Sequence, residues 1–258
     1  MSSTVAIINL IIGAVYTSYG VMTVADLRRN WSTLGPSHFG FAWIAMAFTC
    51  GPHHLEHGLH ILTTDRSGGP LDLAAVVVGL PAGVLWFLLR LEAQIGGRGD
   101  RTVSGTPRWL QSVPSIFAVY VVAITTGAVA TLTRSSTFDN RLLANVALVV
   151  LYNAIAYVLL RTQLQNHESL GTWSVSGLSL TLIFTTCAAM HAVWAVYGAT
   201  GRYLIDAHLF AIDVVAVPAA MYFLWVVGSL NRGTLSDWTA DVDTAPQRAD
   251  DELEAMMS

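Results

Sequence analysis

Seven runs of predominantly apolar residues, at 4–27, 38–63, 71–93, 113–133, 141–162, 174–198 and 204–228, constrain this chain more than any other feature. An α-helix needs roughly 17–25 such residues to cross the hydrocarbon core of a bilayer. Inside that core each backbone N–H and C=O must be satisfied by the protein itself, so consecutive runs fold as helices. The sequence therefore predicts an all-α integral membrane protein, a bundle of seven transmembrane helices over residues 1–231. The first run starts at residue 4 with no basic segment before it and no small-residue cleavage site after it, so it reads as a span rather than a signal peptide. No internal repeat and no separate soluble domain stand out.

Composition agrees. Only 12% of the 258 residues are charged, against about 25% in soluble domains, and the mean hydropathy is +0.54. The net charge of −4 is concentrated at one end. Asp237, Asp241, Asp243, Asp250, Asp251, Glu252 and Glu254 face only Arg232 and Arg248 after the last span, so residues 232–258 read as an acidic, disordered tail. No basic patch points to nucleic acid. All 13 basic residues are arginine, which removes lysine Schiff-base chemistry of the kind retinal proteins use.

Arginine placement predicts orientation. With the N-terminus outside, Arg28, Arg29, Arg90, Arg98, Arg101, Arg108, Arg161, Arg232 and Arg248 fall on the cytoplasmic side. Arg66, Arg134, Arg141 and Arg202 fall outside. The expectation is a multi-pass protein of the cell membrane, N-terminus out and C-terminus in. The connection "AQIGGRGDRTVSGTPRWLQS" after the third span reads as a flexible loop from its Gly, Pro and Arg content.

Against this apolar background, "CGPHHLEHGLH" in the second span is anomalous. It holds four of the eight histidines and a glutamate. Met46, Cys50, His53, His57 and His60 are spaced 4-3-4-3 and share one helical stripe. His54 lies to one side, and Glu56 borders the stripe. Pro52 removes a backbone hydrogen bond and loosens the turn before the histidines. At 1.5 Å of rise per residue, His57, His191 of the sixth span and His208 of the seventh fall in one layer in the outer half of the membrane. Cys187 lies one turn before His191. Asp213 lies deeper than His208 and on another face, which suits a carboxylate that supports a ligand or lines a polar path. Asp72 could join the rim. Trp194, Tyr197 and Tyr203, with Trp31, Trp109, Trp173 and Trp238 at the other side, read as interfacial anchors. Asn9, Asn145 and Asn153 read as residues that join helices by hydrogen bonds.

Repeated imidazoles in hydrocarbon need partners. Neutral imidazole is a common metal ligand, so the expected site binds a transition metal, zinc, copper or iron, directly or as haem b. Its ligands would be His53, His57, His60, His191 and His208. Three chemistries follow. A three-histidine zinc with bound water, and Glu56 or Asp213 as base, would hydrolyse a lipid-like substrate. Seven-helix hydrolases of the adiponectin-receptor and alkaline-ceramidase type pair Ser-x-x-x-His with His-x-x-x-His. Here Thr49 precedes His53 and the second histidine of the pair after His208 is absent. A bis-histidine haem could pass electrons to a quinone. Copper would use Cys50 and Cys187 with imidazole. Besides these metal readings stands a proton or metal transporter or sensor, which requires the polar line to continue inward past Asp213. Tyr152 and Asn153 of the fifth span are the mid-membrane candidates for it. The partners expected are the bilayer and a lipid-like or quinone small molecule, with protein partners left open.

Overall fold

The computed structural model describes residues 2–64, 69–105, 108–134, 140–200 and 207–238; the side chains of 108, 109, 134, 140, 141 and 207–210 lie outside that description. The chain is helical almost throughout. Its elements are α1 (Ser2–Leu34), α2 (His38–Thr64), α3 (Gly69–Gln94), β1 (Thr102–Ser104), α4 (Arg108–Gln111), α5 (Val113–Arg134), α6 (Asn140–Leu170), β2 (Thr172–Ser174), α7 (Val175–Ala199) and α8 (Ala207–Asn231).

Six helices, α1, α3, α5, α6, α7 and α8, are long and apolar enough to cross a membrane. Large apolar side chains such as Val78, Val119 and Val215 are exposed on their outer faces, as lipid-facing surfaces require. This fits a helical, multi-pass membrane protein. Helix α2 is as long as the others but falls outside the six, because residues 50–60 replace apolar side chains with histidine, glutamate and proline.

Six helices close a ring. α1 packs on α2, α2 on α8, α8 on α6, α6 on α7, α7 on α3, and α3 back on α1. α5 leans on the outside, against α6 and α7. The ring places the inner faces of α1, α2, α3, α6, α7 and α8 around one shared interior, and the buried polar side chains lie there.

Small residues set the closest seam. A Cβ on Gly51 would lie 2.4 Å from Thr17 Oγ1, and one on Gly58 would lie 2.9 Å from the Ala6 carbonyl oxygen. α1 and α2 therefore approach backbone to backbone, the packing that small residues permit between membrane helices. This seam holds α2, and its histidines, against α1.

For description, the end carrying the α2–α3 connection is the top. Near the bottom, Tyr19, Trp43, Trp86, Phe184 and Phe223 interlock, with ring centroids 5.0–6.3 Å apart along the chain of contacts. Below this aromatic layer a recess of about 230 Å³ is lined by Asp26, Arg90 and Asp237 among others.

Two segments near the bottom are more ordered than the sequence suggests. The connection after α3, expected to be a flexible loop, forms β1, which pairs antiparallel with β2 as Thr102↔Ser174 and Ser104↔Thr172. Asp100 then caps α7, accepting from Ser174 Oγ at 2.7 Å and Ser176 N at 2.8 Å. The segment after α8 also docks. Asp237 accepts from Ser37 Oγ at 2.8 Å and Phe39 N at 2.9 Å, at the N-terminus of α2. Residues 239–258 of the tail lie outside the described residues. Trp173, read as an interfacial anchor, is instead buried and stacks on His167 with centroids 4.4 Å apart.

Candidate functional site

The interior of the ring holds two buried carboxylates in hydrocarbon surroundings, and each meets a histidine of α2. His53 Nδ1 lies 2.9 Å from Asp213 Oδ1, and His57 Nε2 lies 3.3 Å from Asp72 Oδ2. Both aspartates are essentially inaccessible. Stacking α2 against α8, and setting α3 so that its first turn faces α2, puts the acids there. An isolated carboxylate at this depth is costly unless it is paired, protonated or bound to a cation.

Asp213 is the hub. Its Oδ2 accepts from Asn145 Nδ2 at 2.8 Å, and its Oδ1 lies 4.0 Å from His191 Nδ1. Asn145 Oδ1 in turn meets His191 Nδ1 at 2.8 Å. Because the Asn145 amide NH2 is used on Asp213, its oxygen must face His191, and His191 must donate from Nδ1. The same reasoning applies on the other flank. Asn9 Nδ2 donates to the Val5 carbonyl, and Asn9 Oδ1 meets His54 Nδ1 at 2.7 Å. His54 therefore also donates from Nδ1. In their neutral forms both rings then carry the lone pair on Nε2, and among the described residues no protein group occupies Nε2 of His53, His54 or His191.

Trp194 organises the rings. It stacks on His53 with centroids 4.3 Å apart and 23° between planes, and it meets His57 at 4.9 Å and His191 at 5.0 Å. Trp194 was expected at the membrane interface, but it is 3% exposed. Its position three residues after His191 puts it on the same helical face, a signal the sequence did contain.

One oxygen of each acid, Asp72 Oδ1 and Asp213 Oδ1, has no hydrogen-bond partner. For Asp213 this holds although His53 Nδ1 is close. The contact has the distance of a hydrogen bond without its direction. A buried acceptor left in that condition is a place for a proton or a cation.

The polar groups continue downward. Cys50 Sγ lies 3.2 Å from Tyr152 OH, and Tyr16 OH lies 3.9 Å from Cys187 Sγ. Tyr152 stands 5.4 Å, centroid to centroid, from His191. The continuation that α8 lacks is thus supplied by α2, α6, α7 and α1. A cavity of about 10 Å³, room for about one water, lies among Cys50, His53, His54, Tyr152, Cys187, His191 and Asp213.

The structure brings together His53, His57, His191 and Asp213 of the expected site and adds His54, Asp72, Asn9, Asn145 and Trp194. Glu56 and His60 are half-buried and do not line the cavity. His208 lies in the first turn of α8, and its side chain is outside the described residues, so the expected meeting of His57 with His208 is too. Asn9 and Asn145 join helices as expected; so does Asn153, to Thr125 at 3.1 Å.

The fit to the expected cofactors can be tested on these residues. Among the described residues no three His, Cys, Asp or Glu side chains gather closely enough to hold a metal ion, so a three-ligand zinc with Glu56 or Asp213 as base is not formed by them. The enclosed cavity is far smaller than haem, and the larger recesses, of about 230, 560 and 320 Å³, have no histidine on their walls. The comparisons add no family: no family model, no curated protein and no solved structure matches the chain.

Proposed function

We propose that this chain is a seven-span protein of the cell membrane, N-terminus outside, whose working group is a proton-binding histidine–carboxylate network of the kind a proton-linked transporter uses. The observation that carries this reading is the paired burial of His53–Asp213 and His57–Asp72, each acid keeping one oxygen without a hydrogen bond. A proton held by Asp213 neutralises the buried carboxylate, and one held by His53 balances its charge at 2.9 Å. Intramembrane ionisable residues paired in this way mark proton relays and ion paths.

The Cys50–Tyr152 and Cys187–Tyr16 contacts support a path rather than an isolated site, because they extend hydroxyl and thiol groups toward the lower recess. The Tyr19–Trp43–Trp86 layer interrupts that line, so passage would require those rings to move. Transition-metal and haem readings have less support, for the reasons of donor number and room given above. So does lipid hydrolysis, since the cavity that the histidines line among the described residues has a volume of about 10 Å³.

The test is infrared titration of the protein in liposomes. A pH-dependent protonation signal, in the carboxylic-acid C=O band or in the imidazole ring modes, that is lost in Asp213→Asn is the expected result. Vesicles carrying an internal pH dye then show whether the proton crosses. Spectra of the network that do not change with pH would overturn the reading.

A further inference from the structure

α5 is the helix that stands outside the ring, and its seam with α6 is open along its lower part. A groove of about 560 Å³ runs there, walled by Phe117, Val121 and Val122 of α5 and by Val150, Ala154 and Leu160 of α6. Asn153 and Thr125 bridge the two helices near its upper end, 3.1 Å apart. Arg161 stands near its lower end and is the one charged side chain on its walls. That side chain is exposed, and among the described residues its guanidinium meets no carboxylate.

We propose that this groove holds one anionic phospholipid of the lower leaflet, with an acyl chain along the apolar walls and the phosphate on Arg161. Charge complementarity is the first ground. A guanidinium with donors unfilled by protein can meet a phosphate through two parallel hydrogen bonds. Basic pockets between membrane helices hold lipid headgroups in this way. Length is the second ground. From Val150 to Arg161 the helix rises roughly 16 Å at 1.5 Å per residue. That is about half of the ~30 Å hydrocarbon core. Arg161 therefore sits one leaflet's depth from the upper end of the groove, where a phosphate lies when its chain reaches the bilayer midplane.

The position of α5 separates a bound lipid from the surrounding ones. α5 packs on α6 and α7 alone among the long helices, and Val119 and Val122 stay exposed on it. A chain in the groove touches two helices at once, whereas a bulk lipid touches one face. The groove on the other flank of α5, of about 320 Å³, is walled by Ile116, Tyr120, Leu178 and Leu182 among others and has no charged residue. It can take a chain but cannot select a headgroup, so selection belongs to the α6 side.

The test is native mass spectrometry of the full chain, delipidated in detergent and offered an equimolar mixture of dioleoyl phosphatidylglycerol and dioleoyl phosphatidylcholine. Wild type is expected to keep one phosphatidylglycerol, at about fivefold preference, the factor one basic residue is worth beside anionic lipid. Arg161→Gln should hold the two lipids equally, and Arg161→Lys should keep the preference. Ala118 is an exposed residue on the groove wall, so Ala118→Trp should fill the groove and release both lipids without unfolding the helices. Equal retention of the two lipids by wild type would overturn the site, as would a preference that survives Arg161→Gln. Glycerol phosphate that competes as well as the intact lipid would overturn it too, by showing that the acyl chain adds nothing. A lipid-free dimer of wild type that Ala118→Trp breaks would overturn it by assigning the groove to a second copy. The site shares no residue with the histidine network, so this result and the infrared one fail separately.

Discussion

His53 Nδ1 lies 2.9 Å from Asp213 Oδ1, and the aspartate side chain is 1% exposed. Asp213 also holds Asn145 and, through it, His191. Replacing Asp213 by alanine removes the carboxylate from His53 and from the Asn145 amide and leaves the Asn145–His191 contact without its anchor. The expected loss is about 3–5 kcal/mol, the cost of removing one member of a buried pair. Asp213→Asn keeps an oxygen for Asn145 and should lose less. Thermal unfolding in one detergent compares them, and equal melting temperatures for wild type and Asp213→Ala would contradict the hub role.

The second pair behaves differently if only its mutual charge matters. His57 and Asp72 approach to 3.3 Å, both about 1% exposed. Asp72→Leu leaves His57 without that partner and should cost about 3–5 kcal/mol. The double variant His57→Leu/Asp72→Leu should recover part of this loss, because well-packed apolar pairs often replace buried ion pairs without penalty. A double-mutant cycle reads the coupling. A double variant that loses the sum of the two single losses would show that the residues act separately.

The helical membrane class and the helix positions were legible because each rests on periodicity or on an apolar background; of the expected histidine layer, His57 and His191 both meet Trp194, while the His208 side chain lies outside the described residues. Partners were not legible. Helical phase places His53 and His57 on one face, but it cannot say that Asp213 faces His53. Nor can it say that Asn145, 46 residues before His191, supplies that residue's hydrogen bond. Trp194 was misassigned for a related reason. Its place near a span end suited an interface anchor, although it shares the face of His191, which α7 turns inward onto the histidines of α2. The last helix offers no polar continuation past Asp213; Tyr152 of the fifth span, a candidate from the sequence, meets Cys50, and Cys187 with Tyr16 extends the polar groups sideways.

The α1–α2 seam can be probed without touching the histidines. A Cβ on Gly51 would sit 2.4 Å from Thr17 Oγ1 and 2.8 Å from Thr17 N. A hydroxyl can turn away, but the backbone nitrogen cannot, so the helices must separate. Gly51→Ala should cost about 1–3 kcal/mol, as overpacking does. Gly127 on α5 has nothing within 4 Å of its added Cβ. Gly127→Ala should leave stability unchanged or raise it by up to about 1 kcal/mol. Equal destabilisation of both variants would remove the seam argument.

The cap on α7 makes the bottom of the bundle sensitive to acid. Partial burial pushes the Asp100 carboxyl up, but hydrogen bonds from Ser174 Oγ, Ser176 N and Arg101 N outweigh this and hold it below the usual carboxylate range. The folded value is therefore lower than the unfolded one, about 3.9. Stabilisation from this group is fully present above the unfolded value and is lost as pH falls through the folded value. Asp100→Ala removes both the cap and the anchor of the segment before β1. By analogy with helix N-caps the loss is about 1 kcal/mol near neutral pH. As pH falls from the unfolded value toward the lower folded one, the gap between wild type and variant should narrow. Melting temperatures measured across this range check the sign, and a gap that widened in acid would show that Asp100 does not hold α7 through its charged form.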